Sequence, residues 1–223
     1  MSMNSDFAPK TTDYESPTPS PQGDAEVART AGEQEATLER IAAGLYGVAS
    51  MLVGAGPDTS VDRDEDGARL VETAVITAEI PRGASAAEAR RAGLRALAHG
   101  AIELLAKRAP GSLKAPEGVE FPATCIEDDE LDAAGMSRDE LARMIAGPDR
   151  ARVRTWLEGL PLEQRVVFVL RAVAAIPAGE TAALLAAHGG AGAEGWTAEQ
   201  VREVFRQALC SLASQLLHAA NTR

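Results

Sequence analysis

The chain has 223 residues, of which 45% are apolar and only 4% aromatic, with alanine dominating the apolar set. That length is ample for a substantial core, and an alanine-rich composition with few β-branched runs points to helices packed on helices and excludes an all-β sandwich. The net charge of −11, from 33 acidic and 22 basic residues, has the wrong sign for a protein that coats nucleic acid unaided.

The charge is unevenly spread. Residues 1–36 carry seven acids and two bases, and residues 109–152 carry ten and five. The intervening 37–108 (ten and nine) and the final 153–223 (six and six) are near neutral. Residues 1–34 are rich in Ser, Thr, Pro, Asp and Glu, including the run Ser16 to Pro21. With no apolar face to bury, they are expected to form a disordered tail.

From Glu35 the pattern turns helical. Leu38, Ile41, Ala42, Leu45, Val48, Ala49 and Leu52 recur at steps of three and four and make one apolar face. The run Gly54 to Asp58 breaks it. A second helix is predicted from about Asp64 to Glu79, with Leu70, Val71, Ala74, Val75 and Ala78 on one side. Ser85, with Glu88 three residues on, forms a capping-box signature for a third helix over 86–108. Together these give a helical block over 35–108.

Residues 109–151 hold prolines, glycines and the acidic run Glu127 to Glu130, and read as a flexible acidic linker containing a short helix from Ser137 to Ile145. The second block, 152–223, opens with a helix from Val153 to Leu157 and continues with Glu163 to Val173. After the turn Pro177 to Gly179 come a short helix from Glu180 to Ala187, a glycine-rich loop from Gly189 to Gly195 and a long final helix capped by Thr197. Trp196, just before the cap, is expected to staple onto Val201. The apolar stripe of this helix runs from Val201 to Leu217, about five turns. The expected fold class is all-α: two small helical domains joined by a flexible linker, the C-terminal one helix-turn-helix-like.

No catalytic constellation is present. There is no strand to precede a glycine-rich phosphate loop. His99, His188 and His218 lie in three different segments and share no spacing with the cysteines, so the sequence predicts neither a metal site nor a cofactor. Cys125 and Cys210 read as free thiols of a reducing cytoplasm. No apolar window is long enough to span a bilayer, so a cytoplasmic protein without membrane contact is expected.

The residues of the second block carry a resemblance. Leu160 to Arg171 (LPLEQRVVFVLR) resembles the opening of the promoter-binding C-terminal domain of bacterial RNA polymerase sigma factors. Ala178 to Leu185 (AGETAALL) resembles the first helix of that domain's helix-turn-helix, and Thr197 to Leu209 occupies the place of its recognition helix. The extracytoplasmic-function type is the most similar. In the first block, 68–76 and 93–108 are similar to the polymerase-binding and promoter-melting helices of the same family.

The resemblance implies a sigma-like initiation factor that binds core RNA polymerase and promoter DNA, with an anti-sigma factor as a further partner. It implies that Leu70, Val71 and Val75 dock on polymerase. It implies that Arg90, Arg91 and Arg95 face the upstream promoter element, and that Thr197, Gln200, Arg202 and Arg206 meet the distal one.

The chain also departs from the pattern. No aromatic occurs in 86–108, where rings would stack on unpaired bases. Arg69 stands where an acid is expected, and residues 197–217 hold two Arg and two Glu where a recognition helix is clearly basic. The connection before that helix is also longer than the family's tight turn. These departures define a second expectation, a sigma-derived interaction module that no longer binds DNA.

Overall fold

In a computed structural model, residues 41–54, 60–81, 83–116 and 125–221 are described. The tail over 1–34 and the start of the first helix lie outside them. Among the described residues every regular element is helical and no strand occurs. The helices are α1 (41–53), α2 (Ser60–Thr77), α3 (Ala86–Arg108), α4 (Arg138–Ala146), α5 (Arg150–Gly159), α6 (Leu162–Phe168), α7 (Ala178–His188) and α8 (Ala198–Asn221). A 3-10 turn at Leu131–Ala134 precedes α4, and a π-helical turn at Val169–Val173 follows α6.

The capping chemistry sets the sharpest boundaries. Ser85 Oγ accepts from the Glu88 amide while the Glu88 carboxylate accepts from the Ser85 amide, so both orphan donors at the start of α3 are satisfied. Ser137 and Glu140 do the same for α4. The Ser85 hydroxyl and amide, both donating to Glu88, and the Ser137 amide and hydroxyl, both donating to Glu140, hold the two carboxyls below their ordinary range.

The first three helices share a core. Ile41, Leu45, Val48, Ala49 and Leu52 of α1 are buried with Leu70, Val71 and Ala74 of α2 and with Leu94, Leu97, Ala101 and Ile102 of α3. Tyr46 Oη donates to Asp64 Oδ1 at 3.2 Å, and Arg108 of α3 pairs with Asp66 of α2.

The second group is built on α8. Val201, Val204, Phe205, Ala208, Leu209 and Leu212 form its buried stripe, opposite Val166, Val167 and Phe168 of α6 and Ala182 and Leu185 of α7. Trp156 meets Phe168 edge-on, with ring centroids 4.9 Å apart. The π turn ends α6: Ala174 N–H reaches back to Val169 O at 2.9 Å, and Ala175 adopts a left-handed φ of 57° that redirects the chain into α7.

The described residues of the two blocks separated by the sequence reading lie in one compact unit. Helix α3 packs on α7, and Arg95 of α3 pairs with Glu180 of α7. The segment after α3 is fastened to the glycine-rich loop by Ala115 N–H to Gly192 O at 2.8 Å and by Trp196 Nε1 to Leu113 O at 2.8 Å. Gly189 is required there, because a Cβ would lie 2.6 Å from Leu185 O and 2.7 Å from Ala193 Cβ. Gly192 has φ of 84°, a conformation that favours glycine.

Trp196, expected as a helix-start staple, is a buried residue whose indole N–H is satisfied across the fold. Trp196→Phe keeps much of the ring but leaves the Leu113 carbonyl without its donor, so urea denaturation should show a loss of about 1–3 kcal/mol.

The cysteines require a correction. Cys125 and Cys210 are not free thiols but are bonded to each other, with Cα atoms 5.7 Å apart. The bond ties the acidic segment that follows Cys125 to the middle of α8. That segment, expected as a solvated linker, is also held by side chains.

Candidate functional site

The residues singled out on the last helix all sit near the start of α8, and each already has a partner. Thr197 and Gln200 form a reciprocal cap: Thr197 Oγ1 accepts from the Gln200 amide at 3.2 Å, and Gln200 Oε1 accepts from the Thr197 amide at 2.8 Å. The Gln200 amide nitrogen Nε2 donates to Pro116 O at 3.2 Å. Both ends of a side chain that would read adenine are therefore engaged in holding the helix and the preceding segment.

Arg202 donates to Glu199 Oε2 at 2.9 Å and lies 3.8 Å from Asp129 Oδ2. Arg206 donates to Glu203 Oε2 at 2.6 Å and approaches Glu199 Oε1 at 3.5 Å. Hydrogen bonding to Glu203 strengthens the hold of Arg206 on its proton, and hydrogen bonding from Arg202 holds the Glu199 carboxyl below its ordinary range. Glu203 itself is only 8% exposed, so it is a buried partner of Arg206 rather than a charge on the solvent face.

Asp129 joins two helices. Its carboxylate accepts from Arg171 Nη2 at 3.0 Å, and the Arg171 guanidinium lies over the Phe205 ring, 5.3 Å from its centroid. The Glu127 carbonyl accepts from Arg206 Nη1 at 3.5 Å. Segment 125–130 therefore lies along the arginine face of α8, bonded through Cys125 and paired through Asp129.

The basic cluster of α3 divides. Arg90 and Arg91 are exposed, whereas Arg95 makes a two-point pair with Glu180, its Nη2 lying 3.1 Å from Oε2. Arg90 also lines a groove of about 550 Å³, together with Arg138, Arg150, Val48, Met51 and Ile145.

The polymerase-docking set divides too. Leu70 and Val71 are buried in the shared core, and Leu70 Cδ2 covers Gly100 of α3 so closely that a Cβ there would lie 3.3 Å away. Val75 is 38% exposed and its neighbour Ile76 is 76% exposed. Among the described side chains of α2, the accessible large apolar ones are therefore Val75 and Ile76. The sequence signal for Ile76 was its position off the apolar stripe.

One cluster was missed. His99 and Glu103, one turn apart on α3, meet His188 in the last turn of α7. His99 Nε2 is 3.1 Å and His188 Nδ1 3.5 Å from Glu103 Oε1, and the imidazoles lie 3.7 Å apart by centroid. The hydrogen bond from His99 holds the Glu103 carboxyl below its ordinary range. Sequence spacing gives only the His99–Glu103 half of this group; His188 arrives through the packing of α7 on α3.

No described helix is long and apolar enough to cross a membrane. Comparison of the chain with protein-family models, with curated proteins and with solved structures finds no match.

Proposed function

We propose that the chain is a sigma-like transcription initiation factor, binding core RNA polymerase and promoter DNA, in a closed state whose α8 arginines are engaged internally. The observation that carries the reading is the succession of α6, the π turn, α7 and α8 over the stretch that resembles the family's C-terminal domain, with α8 packed on both α6 and α7. It has the order expected of a helix-turn-helix domain.

In this reading Val75 and Ile76 supply the apolar contact to polymerase, and Arg90 and Arg91 face the upstream element. Arg202 and Arg206 reach phosphates of the distal element once segment 125–130 leaves them. Blocks 35–108 and 152–223 then act as separate modules, with 109–151 as the hinge between them. Polymerase contributes the basic surface this acidic chain lacks. An anti-sigma partner would act by favouring the closed state.

A second reading, a sigma-derived interaction module without DNA binding, is favoured by one observation: Gln200, Arg202 and Arg206 are all occupied by partners within the chain.

The test is retention of core polymerase on the full-length chain, under oxidising and reducing conditions, followed by run-off transcription on genomic fragments. Retention with transcripts from a subset of fragments is the expected result. Retention without transcripts under either condition favours the interaction module. Absence of retention under both conditions overturns the initiation-factor reading.

A further inference from the structure

We infer that His99, Glu103 and His188 form a binding site for one divalent transition-metal ion, of which Zn2+ is the type, clamping α3 to α7. This site is independent of the proposed function and uses none of the residues assigned to DNA or polymerase.

The chemistry of the donors comes first. Two imidazoles and one carboxylate suit zinc and its neighbours, whereas magnesium and calcium take all-oxygen sets. The three donor atoms, His99 Nε2, Glu103 Oε1 and His188 Nδ1, lie within 4.8 Å of one another. Ligands about 2.05 Å from a tetrahedral ion stand roughly 3.3 Å apart. The two distances to Glu103 Oε1, 3.1 and 3.5 Å, bracket that edge.

The scaffold comes second. His99 and Glu103 project from one face of α3 at i and i+4, so the helix fixes their separation. His188 is positioned by α7 and by the glycine turn that follows, where Gly190 approaches Ala106 of α3. The second oxygen of Glu103 lies 3.8 Å from Lys107 Nζ, an outer partner that leaves Oε1 directed at the imidazoles. The Arg95–Glu180 pair ties the same two helices further towards their N-terminal ends. The group is half-exposed, so an ion can enter from solvent and complete its coordination with water.

The ion would take the place of the His188–Glu103 contact, 3.5 Å between Nδ1 and Oε1, and turn it into a cross-link between the first and second blocks. Metal occupancy would then bias how readily these blocks separate.

The experiment titrates the chelator-treated full-length chain with Zn2+ alone and with Co2+ alone. Expected are one Zn2+ per chain by equilibrium dialysis, visible d–d absorption with Co2+, and a higher thermal midpoint with Zn2+ but not Mg2+. His99→Ala and His188→Ala should each weaken binding by at least the roughly 10–100-fold that loss of an outer-sphere partner costs. His218→Ala should bind as the parent does. His99→Asn, a conservative change at an exposed position, keeps the test valid should His188→Ala fail to fold by circular dichroism. Three results would overturn the inference: no stoichiometric binding in the micromolar range, binding undiminished in both His99 variants, or a Co2+ spectrum with thiolate charge-transfer bands.

Discussion

Leu70→Asp is expected to unfold the first helical block, whereas Ile76→Asp is expected to leave the fold intact and weaken polymerase binding. Leu70 is 8% exposed and lies against Gly100 of α3. Losing its side chain alone costs about 2–5 kcal/mol, and an unpaired carboxylate in the same place adds a further desolvation cost. The sum approaches the whole stability of an ordinary domain, about 5–15 kcal/mol. Ile76, at 76% exposure, has no comparable burial to lose, so its substitution should change stability by no more than about 0.5 kcal/mol. If Val75 and Ile76 anchor a docked polymerase, Ile76→Asp weakens retention by roughly tenfold or more, the scale of an apolar hot spot. Urea denaturation followed by circular dichroism separates the two effects. Undiminished polymerase retention by Ile76→Asp would remove this face of α2 from the interface.

The contrast between Leu70 and Ile76 shows where sequence reading reaches its limit. Periodicity correctly assigned Leu70, Val71 and Ala74 to one apolar side of a helix, because a 3.6-residue repeat determines which residues share a face. It does not say whether that face meets the chain's own core or a partner. The boundaries of α3 were legible to the residue, since Ser85 and Glu88 form a local motif whose hydrogen bonds need no tertiary contact. The same holds for Ser137 and Glu140 and for the Thr197 cap of α8, although its partner Gln200 was read as a DNA contact and is engaged in the cap instead.

Non-local features were not legible. Cys125 and Cys210 are 85 residues apart, and no local pattern marks them as partners. Asp129 reads as one acid in a run of four until Arg171 and Arg202 are brought to it. Glu203 lies between Arg202 and Arg206 in sequence, and nothing in that local pattern marks it as buried. Its burial follows from the neighbouring stripe of Val201, Val204 and Phe205, which turns that part of α8 inward. The helix after Leu160 reads as continuous to Val173, but the wide turn at Val169–Val173 replaces its last α turn. Arg138 Nη1 lies 3.5 Å from the carbonyls of both Arg171 and Ala172, so a residue of another helix supports the break.

The second large effect concerns the acidic segment on α8. Reduction of the Cys125–Cys210 bond, or Cys210→Ser, opens a loop of 85 residues in sequence, and the chain-entropy model then gives a loss of about 4.6 kcal/mol. Reduction alone leaves Asp129 paired with Arg171, so the segment is loosened at one end only. Freeing Arg202 needs its carboxylate partners removed as well. Glu199 and Asp129 both face Arg202, and Glu199 also reaches Arg206. Glu203 is left in place, because it is buried and its loss would strand Arg206 in a poorly solvated position. The reduced Glu199→Gln, Asp129→Asn variant is therefore expected to bind duplex DNA that the oxidised parent binds negligibly. Every phosphate newly neutralised by an arginine adds about 0.9 to the slope of log affinity against log salt, so Arg202, the arginine freed of its carboxylates, steepens it by roughly one. The increase should be the same on unrelated duplexes, because phosphate contacts position a protein without reading sequence. Fluorescence anisotropy across a salt series measures both quantities. Should the reduced double variant stay folded and remain as inert as the parent at low salt, α8 does not face DNA. The arginine face would then serve to hold segment 125–130, and the interaction-module reading would take precedence.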